Sequence, residues 1–232
     1  MPNVVGVIQA RMGSSRLPGK ALRPLGGKPL IWHIVDRVRR AGRCETVFLA
    51  TTTDPRNEPI LEFAKELGLP VVLEEIEDDI AGRIAKVVRA SGADYVLKTA
   101  GDCPLVDPDV MAGMVDLALE SRSDFCSNRV RWTFPLGLSC DVMSAKSVLW
   151  CDQNLEKPEE RELFALFVRD RPEQFVVTSY EYKLDLSDLT WTVDTPEDYV
   201  EVSRIFDALY RDGGCFGLND VLQFLGDGRA EP

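Results

Sequence analysis

Short apolar runs rich in β-branched residues alternate with amphipathic segments through the first half of the chain. Four such runs are predicted to be buried strands: residues 4–8, 46–50, 71–73 and 95–99. Each run is followed by apolar residues at helical spacing. Because a strand–helix–strand crossover lays its helix against the sheet, this order favours a mostly parallel sheet covered on both faces. The sequence therefore predicts a three-layer α/β (αβα) fold of the doubly wound, Rossmann-like class. Ligands in this class bind outside the carboxyl ends of the strands, and the loops expected there are residues 9–20, 51–54 and 100–105.

Helix signals place the remaining elements. The first helix is predicted to open at Pro29, and the next two to end at Gly68 and Gly92. Asp107-Pro108 and Thr195-Pro196 each have the form of an N-cap followed by proline. The less regular second half is predicted to hold strands at 124–127 and 138–143, helices at 159–169 and 196–210, and a frayed tail at 226–232. We expect one domain over residues 1–232.

Charge and cysteine content exclude several classes of protein. The 232 residues carry a net charge of −11, which disfavours non-specific binding to nucleic acid because no counterions are released. No apolar run approaches the length of a membrane span. The six cysteines form no C-x-x-C pair, which argues against zinc or a disulfide framework and, with no export signal, predicts a cytoplasmic protein. A histidine-based mechanism would have to use the single histidine, His33, which lies in a predicted helix and is expected to be structural.

The first strand leads directly into a loop rich in glycine, hydroxyl groups and cations. Residues 9–20 read Gln-Ala-Arg-Met-Gly-Ser-Ser-Arg-Leu-Pro-Gly-Lys. Backbone N–H groups of such a loop can surround an anion, and arginine and lysine contact phosphate oxygens. It is not a P-loop, because five residues separate Gly13 from Gly19 and Ala21 replaces the metal-binding hydroxyl. We expect a polyphosphate site with Lys20 as an exposed loop cation; the alternative is a solvated basic loop.

Two aspartates follow later apolar runs. Asp102 lies after the fourth predicted strand, and Asp194 precedes the helix start at Thr195. The carboxyl ends of parallel strands share one edge of the sheet, so the two side chains can meet in one crevice. Two carboxylates at such a distance repel each other unless a cation lies between them, and Mg²⁺ prefers oxygen ligands of this kind. The pair predicts a Mg²⁺ site; the alternative is that each aspartate serves only its own turn or helix start.

Three segments together resemble the cytidylyltransferases that make CMP-activated sugar acids. They are residues 8–20, 101–105 and 193–198, in the order that the family has them. The family includes acylneuraminate and ketodeoxyoctulosonate cytidylyltransferases, and the similarity is greatest to the spore-coat polysaccharide biosynthesis branch. The resemblance spans about residues 3–210.

The resemblance implies a nucleotidyltransferase-like fold and an activity. CTP and a small sugar acid would give a CMP-sugar and pyrophosphate, for polysaccharide or surface glycan synthesis. It implies a nucleotide half at about 1–122, an acceptor and dimer half at about 123–225, and a homodimer.

The resemblance also implies site residues. Arg11, Lys20 and Asp102 would be catalytic, and Asp102 and Asp194 would hold Mg²⁺. Asn128 and Asp141 would line the acceptor side. The nucleotide would be bound by Ala10, Arg11, Gly13, Ser14, Arg16, Lys20, Arg83 and Asp102.

Three positions depart from the branch, all on the acceptor side. Leu136 and Ser139 stand where the branch has acidic residues, and Leu163 stands where it has histidine. A more apolar acceptor pocket is expected, with poor use of highly hydroxylated acceptors such as neuraminic acid. Two other functions stay open: a glycosyltransferase, for which residues 107–109 have the spacing of an Asp-x-Asp metal motif, and a nucleotide-binding protein without catalysis.

Overall fold

The computed structural model describes residues 2–230 and has a seven-stranded sheet at its centre. The strands are β1 Val4–Gln9, β2 Pro24–Leu25, β3 Lys28–Pro29, β4 Thr46–Thr52, β5 Val71–Glu74, β6 Tyr95–Ala100, β7 Phe125–Ser127, β8 Cys140–Ser144 and β9 Val177–Ser179. The sheet order is β5-β4-β1-β6-β8-β7-β9, and β2 and β3 form a separate antiparallel pair. Strands β5, β4, β1 and β6 pair in parallel, whereas β8 runs antiparallel to both β6 and β7. The mostly parallel α/β fold is confirmed.

Helices cover both faces of the sheet, and the sheet separates two apolar cores, one on each face. They are α1 Leu30–Arg40, α2 Glu58–Glu66, α3 Ile80–Ser91, α4 Pro108–Ser121, α5 Ala145–Asn154, α6 Pro158–Glu162, α7 Phe164–Arg169, α8 Pro196–Leu209 and α9 Leu218–Leu225. One core contains apolar residues of α1, α2, α4, α8 and α9. The other contains apolar residues of α3, α5 and α7. Since β6 pairs with β8, the sheet continues from the predicted nucleotide half into the predicted acceptor half.

The second half differs most from the sequence-based expectation. The single helix predicted at 159–169 is two helices, because Leu163 leaves helical geometry with φ −100° and ψ 27°. The sequence also missed α5, α9 and β9. The tail predicted to fray is anchored at Arg229, which is paired with Asp188 and Asp227, and residues 231–232 lie outside the described part.

All six cysteines are free thiols. Within residues 2–230, no helix has the length and apolar character needed to cross a membrane.

Candidate active site

A cavity of about 440 Å³ opens at the carboxyl ends of β1 and β6. Two of the three loops expected there, 9–20 and 100–105, contribute to its lining, whereas the loop after β4 does not. The lining cations are Arg11, Arg16, Lys20 and Arg83, and the lining acids are Glu77, Asp78, Asp102, Glu162 and Asp194. The cavity is therefore close to charge-neutral, although sequence analysis indicated a concentration of positive charge.

Lys20 connects the two predicted metal ligands. Its Nζ lies 2.9 Å from Asp102 Oδ2 and 2.8 Å from Asp194 Oδ1. The two aspartates, 92 positions apart in sequence, thus meet in one crevice as expected, and the cation between them is an ammonium group. The expectation of an exposed Lys20 is wrong, since only 12% of its side chain is accessible. Burial lowers the pKa of Lys20, but the two carboxylates outweigh it and raise the pKa above its ordinary value.

The two arginines of the loop also have carboxylate partners. Arg16 reaches Asp194 Oδ2 at 2.9 Å, and Arg11 pairs with Glu77 across the cavity. Burial raises the pKa of Asp194, but hydrogen bonds and charges from Lys20 and Arg16 lower it more, so that it lies below its ordinary value. Every cation of the 9–20 loop is therefore held by an acid of the same cavity.

Two local features fix the course of the 9–20 loop. Met12 N–H donates to Asn57 Oδ1 at 2.8 Å, and the Asn57 amide donates in turn to the backbone and hydroxyl oxygens of Thr52. On the other side Gly101 N–H donates to Gln9 O at 2.7 Å. A Cβ on Gly101 would lie 2.5 Å from the Cβ of Ala10, so only glycine permits this close approach.

The remaining predicted loop residues take different positions. Ala10 and Ser14 line the cavity, and Ser14 Oγ also accepts from Leu17 N–H at 3.4 Å. Gly13 does not line it, but packs against the guanidinium group of Arg56, which would lie 3.2 Å from a Cβ at this position. Gly13 therefore shapes the loop from behind.

Arg83 and Gln9 bring polar groups to the cavity that have few partners in the protein. Arg83, predicted to lie near the nucleotide, is 6% exposed; it donates to Glu77 O, and its Nε has no hydrogen-bond partner. Burial lowers its pKa. The Nε2 of Gln9 is also buried without a partner. The sequence pattern does not single out Gln9 as a site residue, although buried unpaired donors of this kind are suited to contact a ligand.

The predicted acceptor residues Asn128 and Asp141 do not line the cavity, and both are held in hydrogen bonds inside the protein. Asn128 is 1% exposed; its amide donates to Leu138 O and accepts from Cys140 N–H. These two contacts occupy both ends of the amide, so Asn128 fastens the backbone of the following loop.

Asp141 is likewise enclosed, with 2% exposure. Its Oδ2 lies 2.9 Å from Lys98 Nζ and 3.3 Å from an Arg129 nitrogen, and its Oδ1 accepts from Ser127 Oγ. Burial raises the pKa of Asp141, but the charges of Lys98 and Arg129 lower it by more, so that it lies below its ordinary value. The carboxylate therefore holds two cations in place.

The three departures from the family branch also lie off the cavity lining. Leu136 joins a backbone bridge to Thr190, and Ser139 O accepts from Thr99 Oγ1. Leu163 is 51% exposed and follows Glu162, which does line the cavity. The cavity as described thus gives no support to an apolar acceptor pocket formed by these three residues.

The Asp-x-Asp spacing at 107–109 is a helix start. Asp107 is 6% exposed, and its carboxylate accepts from the N–H groups of Asp109, Val110 and Leu218. With its oxygens used in this way, Asp107 does not form the metal motif of a glycosyltransferase.

Comparison with known proteins identifies the family of this chain. The model of the cytidylyltransferase family matches residues 5–207. The chain belongs to the cytidylyltransferase family. It is therefore an enzyme of the nucleotidyltransferase class, and the resemblance found in the sequence is confirmed.

Individual members show how far the similarity extends. The spore coat polysaccharide biosynthesis protein SpsF of Bacillus subtilis is 31% identical over 214 residues, 89% of this chain and 87% of SpsF. A cytidylyltransferase structure from Leptospira borgpetersenii matches with a TM-score of 0.90 and 28% identity, covering 97% of this chain and 94% of that one. A 3-deoxy-manno-octulosonate cytidylyltransferase of Acidobacterium capsulatum is 37% identical over 46% of this chain and 42% of its own.

Proposed function

We propose that this cytidylyltransferase transfers CMP from CTP to a sugar acid, releasing pyrophosphate, in the synthesis of a polysaccharide or surface glycan. One observation carries the proposal. In a chain of the cytidylyltransferase family, a cavity at the carboxyl ends of the strands contains three cations, each in an ion pair: Arg11, Arg16 and Lys20. SpsF and 3-deoxy-manno-octulosonate cytidylyltransferase, named for polysaccharide synthesis and for a sugar acid, support the choice of product.

Positioning and charge neutralisation account for the proposed reaction. The acceptor oxygen attacks the α-phosphorus of CTP, and the bond to the departing pyrophosphate breaks. Arg11, Arg16 and Lys20 offset charge on that leaving group, while Arg83 and Gln9 present their free donors to the nucleoside. His33, the only histidine, is buried in α1 and does not line the cavity, so it does not act as the base.

Asp102 and Asp194 fit a divalent cation of the Mg²⁺ type. Both supply hard carboxylate oxygens, and the shared contact with Lys20 shows that one cation can reach both. Residues 2–230 contain no group of three or more acidic, histidine or cysteine side chains arranged for a metal. The protein would thus provide two ligands and leave the others to water and phosphate. Bound there, the ion would polarise the α-phosphate and stabilise its developing charge.

For the acceptor, we propose a contact with Lys98 and Arg129 in place of Asp141. Lys98 and Ala100 share one face of β6, and Ala100 lines the cavity. Two residues along a strand span about 6.6 Å, so Lys98 lies directly beside the cavity wall. Lys98, Arg129 and Asp141 together carry one net positive charge, and Arg129 Nε has no partner. This cluster is suited to the carboxylate of a sugar acid.

Replacing Arg129 tests this acceptor contact. Arg129→Met should raise the KM for the acceptor about tenfold, within the range of a hydrogen bond to a charged group, and leave the KM for CTP unchanged. The control is Arg131→Met, since Arg131 lies in the same segment but pairs outward with Glu181. Pyrophosphate release is measured first with 3-deoxy-manno-octulosonate and then with the best acceptor of a sugar-acid panel. Equal acceptor KM values for both variants would remove Arg129 from the site.

A thermal-shift comparison tests the nucleotide. A ligand that binds only the native state raises the melting temperature by an amount set by its affinity. CTP with Mg²⁺ should shift the transition more than UTP, ATP or GTP with Mg²⁺. Equal shifts would indicate a site for triphosphate alone, and absence of pyrophosphate release with every sugar acid would favour a protein that binds nucleotides without catalysis.

Two further proposals concern the cellular compartment and the oligomeric state of the enzyme. Six unpaired cysteines suit the reducing cytoplasm. We also propose a homodimer formed through the second half, where Trp132 and Leu184 expose apolar surface, and sedimentation velocity measures it directly.

A further inference from the structure

Cations of the protein occupy most of the oxygen atoms that the metal would need. Asp194 has one oxygen on Lys20 and the other on Arg16. Asp102 has Oδ2 on Lys20, while its Oδ1 accepts only a 3.4 Å contact from the Cys103 thiol. A metal ion that binds either oxygen of Asp194 would therefore lie beside a cation that already contacts that oxygen.

Lys20 and the metal ion compete for the same space. Mg²⁺ binds carboxylate oxygens at about 2.0–2.1 Å and tolerates little distortion of its octahedron. The Lys20 ammonium nitrogen lies 2.9 Å from Asp102 Oδ2 and 2.8 Å from Asp194 Oδ1, so it stands between the two carboxylates that would hold the ion. We propose that Lys20 is a built-in counter-ion of the Asp102–Asp194 pair, which keeps free metal out and moves to the nucleotide phosphates only when metal and nucleotide bind together. This inference rests on the proposed function, since it needs a nucleotide that carries the metal.

Charge balance explains why metal and nucleotide depend on each other. The cavity lining has four cations and five acids, and each cation of the 9–20 loop already has a partner. Metal alone would have to displace Lys20, 12% exposed, from both of its carboxylate partners. A triphosphate alone would have to pull Lys20 away and leave two carboxylates facing each other. When metal and triphosphate bind together, the metal contacts the carboxylates and Lys20 moves from them to a phosphate oxygen. Such coupling is reciprocal by thermodynamic necessity.

Metal binding without nucleotide tests the inference directly. Mn²⁺, which shares the oxygen preference of Mg²⁺, is titrated into the protein, and free Mn²⁺ is measured by electron paramagnetic resonance. Lys20→Met should bind Mn²⁺ about tenfold more tightly than the wild type, within the range common for linked sites. Lys20→Arg should stay close to the wild type because a cation remains. The matched control is Arg11→Met, which removes the same charge from the same loop but from Glu77, not from the aspartates.

Two outcomes would overturn the inference. Unchanged Mn²⁺ affinity in Lys20→Met would show that the metal binds beside an undisplaced Lys20. Equal tightening in Arg11→Met would show a general effect of cavity charge. Both comparisons omit CTP, so they stand even if CTP proves not to be the substrate; a wild type that fails to bind CTP contradicts only the proposed function.

The wild-type chain offers a second readout that needs no variant. In proton–nitrogen NMR spectra, lysine ammonium groups that are held in hydrogen bonds give signals that can be followed. The Lys20 signal should keep its position when Mg²⁺ alone is added at a concentration that suffices in the presence of CTP, and move when Mg²⁺ and CTP are added together. A signal that moves fully with Mg²⁺ alone would contradict the inference.

Discussion

At the scale of single residues, Asp194 shows how strongly the carboxylates of this cavity depend on their cations. Because two carboxylates as close as Asp102 and Asp194 repel each other without a cation, the sequence predicts that a neutral substitution leaves stability in the absence of metal unchanged or slightly higher. In the structure Lys20 lies between them and Arg16 adds a second positive charge, so the repulsion is already offset. The expected effect on stability therefore changes sign.

Neutralising either aspartate tests this view. Asp102→Asn and Asp194→Asn should each nearly abolish turnover, and the double variant should lose little more, because both residues serve one ion. In EDTA, Asp194→Asn should be less stable than the wild type by about 1–2 kcal/mol, since Lys20 and Arg16 lose a charged partner while partly exposed. Steady-state kinetics and thermal melting in EDTA measure both effects. Near-normal turnover of Asp194→Asn would leave this residue only its role at the start of α8.

The site residues that the sequence predicted are those whose position follows from strand ends. Lys20 and Asp102 meet because β1 and β6 are parallel neighbours, a relation that the alternating pattern implies. Asp194 joins them because the preceding Val193 N–H donates to Asp102 O at 2.9 Å. The burial of Asp141 could not be predicted, because it depends on the cross-strand register with Lys98. Register in the second half is set by tertiary packing, and one sequence carries little trace of it.

At the scale of elements, the 9–20 loop depends on a neighbour that does not itself line the cavity. Pro55–Asn57 forms a short 3-10 turn after β4, capped by the Asp54 side chain on Arg56 N–H. Its last residue, Asn57, is 1% exposed and fixes Met12 by accepting its N–H. The loop after β4 thus acts through the 9–20 loop, although sequence analysis placed it among the ligand-binding loops.

Removing this support should change nucleotide binding. Asn57→Ala deletes the bonds to Met12 and Thr52, leaves buried groups without partners, and should cost about 2–3 kcal/mol of stability. The KM for CTP should rise severalfold while the acceptor KM stays constant. Asp54→Ala serves as the control, because it removes a cap of the same turn without touching Met12. An unchanged KM for CTP in the Asn57 variant would mean that the loop holds its shape unaided.

Short elements explain most of the errors in predicting helices from the sequence. No residue of α6 is buried, so its sequence has no apolar pattern from which a helix could be predicted. It is fastened instead by Arg161, which pairs with Asp79 at the start of α3 and with Asp152 in α5. Such contacts with remote segments leave no periodic pattern in the sequence, so the end of α6 at Leu163 could not be predicted from it.

At the scale of the whole molecule, the first half was predictable and the order of the later strands was not. The alternation of strands and helices implies parallel neighbours, and β5, β4, β1 and β6 follow that rule. Beyond β6, the sheet continues through the antiparallel β8 before it reaches β7 and β9. A three-residue strand such as β9 is held mainly by its pairing with β7, and that pairing leaves no periodic pattern in the sequence.

The single histidine makes the stability of the whole chain sensitive to mild acid. His33 is 2% exposed, contacts Leu25 O through Nε2, and packs against the rings of Phe206 and Tyr210. Burial, aided by the nearby charge of Arg37, lowers its pKa to about 4, although the bond to Leu25 opposes this. The folded state therefore prefers neutral histidine, whereas the unfolded chain takes up a proton near pH 6.5. The resulting stability is complete above pH 6.5 and is lost as the pH falls towards 4.

Replacing this histidine should remove that part of the pH dependence. In His33→Gln, whose amide can still donate to Leu25 O, the free energy of unfolding should change less between pH 6.5 and 4 than in the wild type. The difference between the two curves should reach up to about 3 kcal/mol and then stay constant below pH 4. Because other acids titrate equally in both chains, urea unfolding at matched pH values isolates the contribution of His33. Parallel curves across this range would show that the histidine titrates in the folded protein much as it does in the unfolded chain.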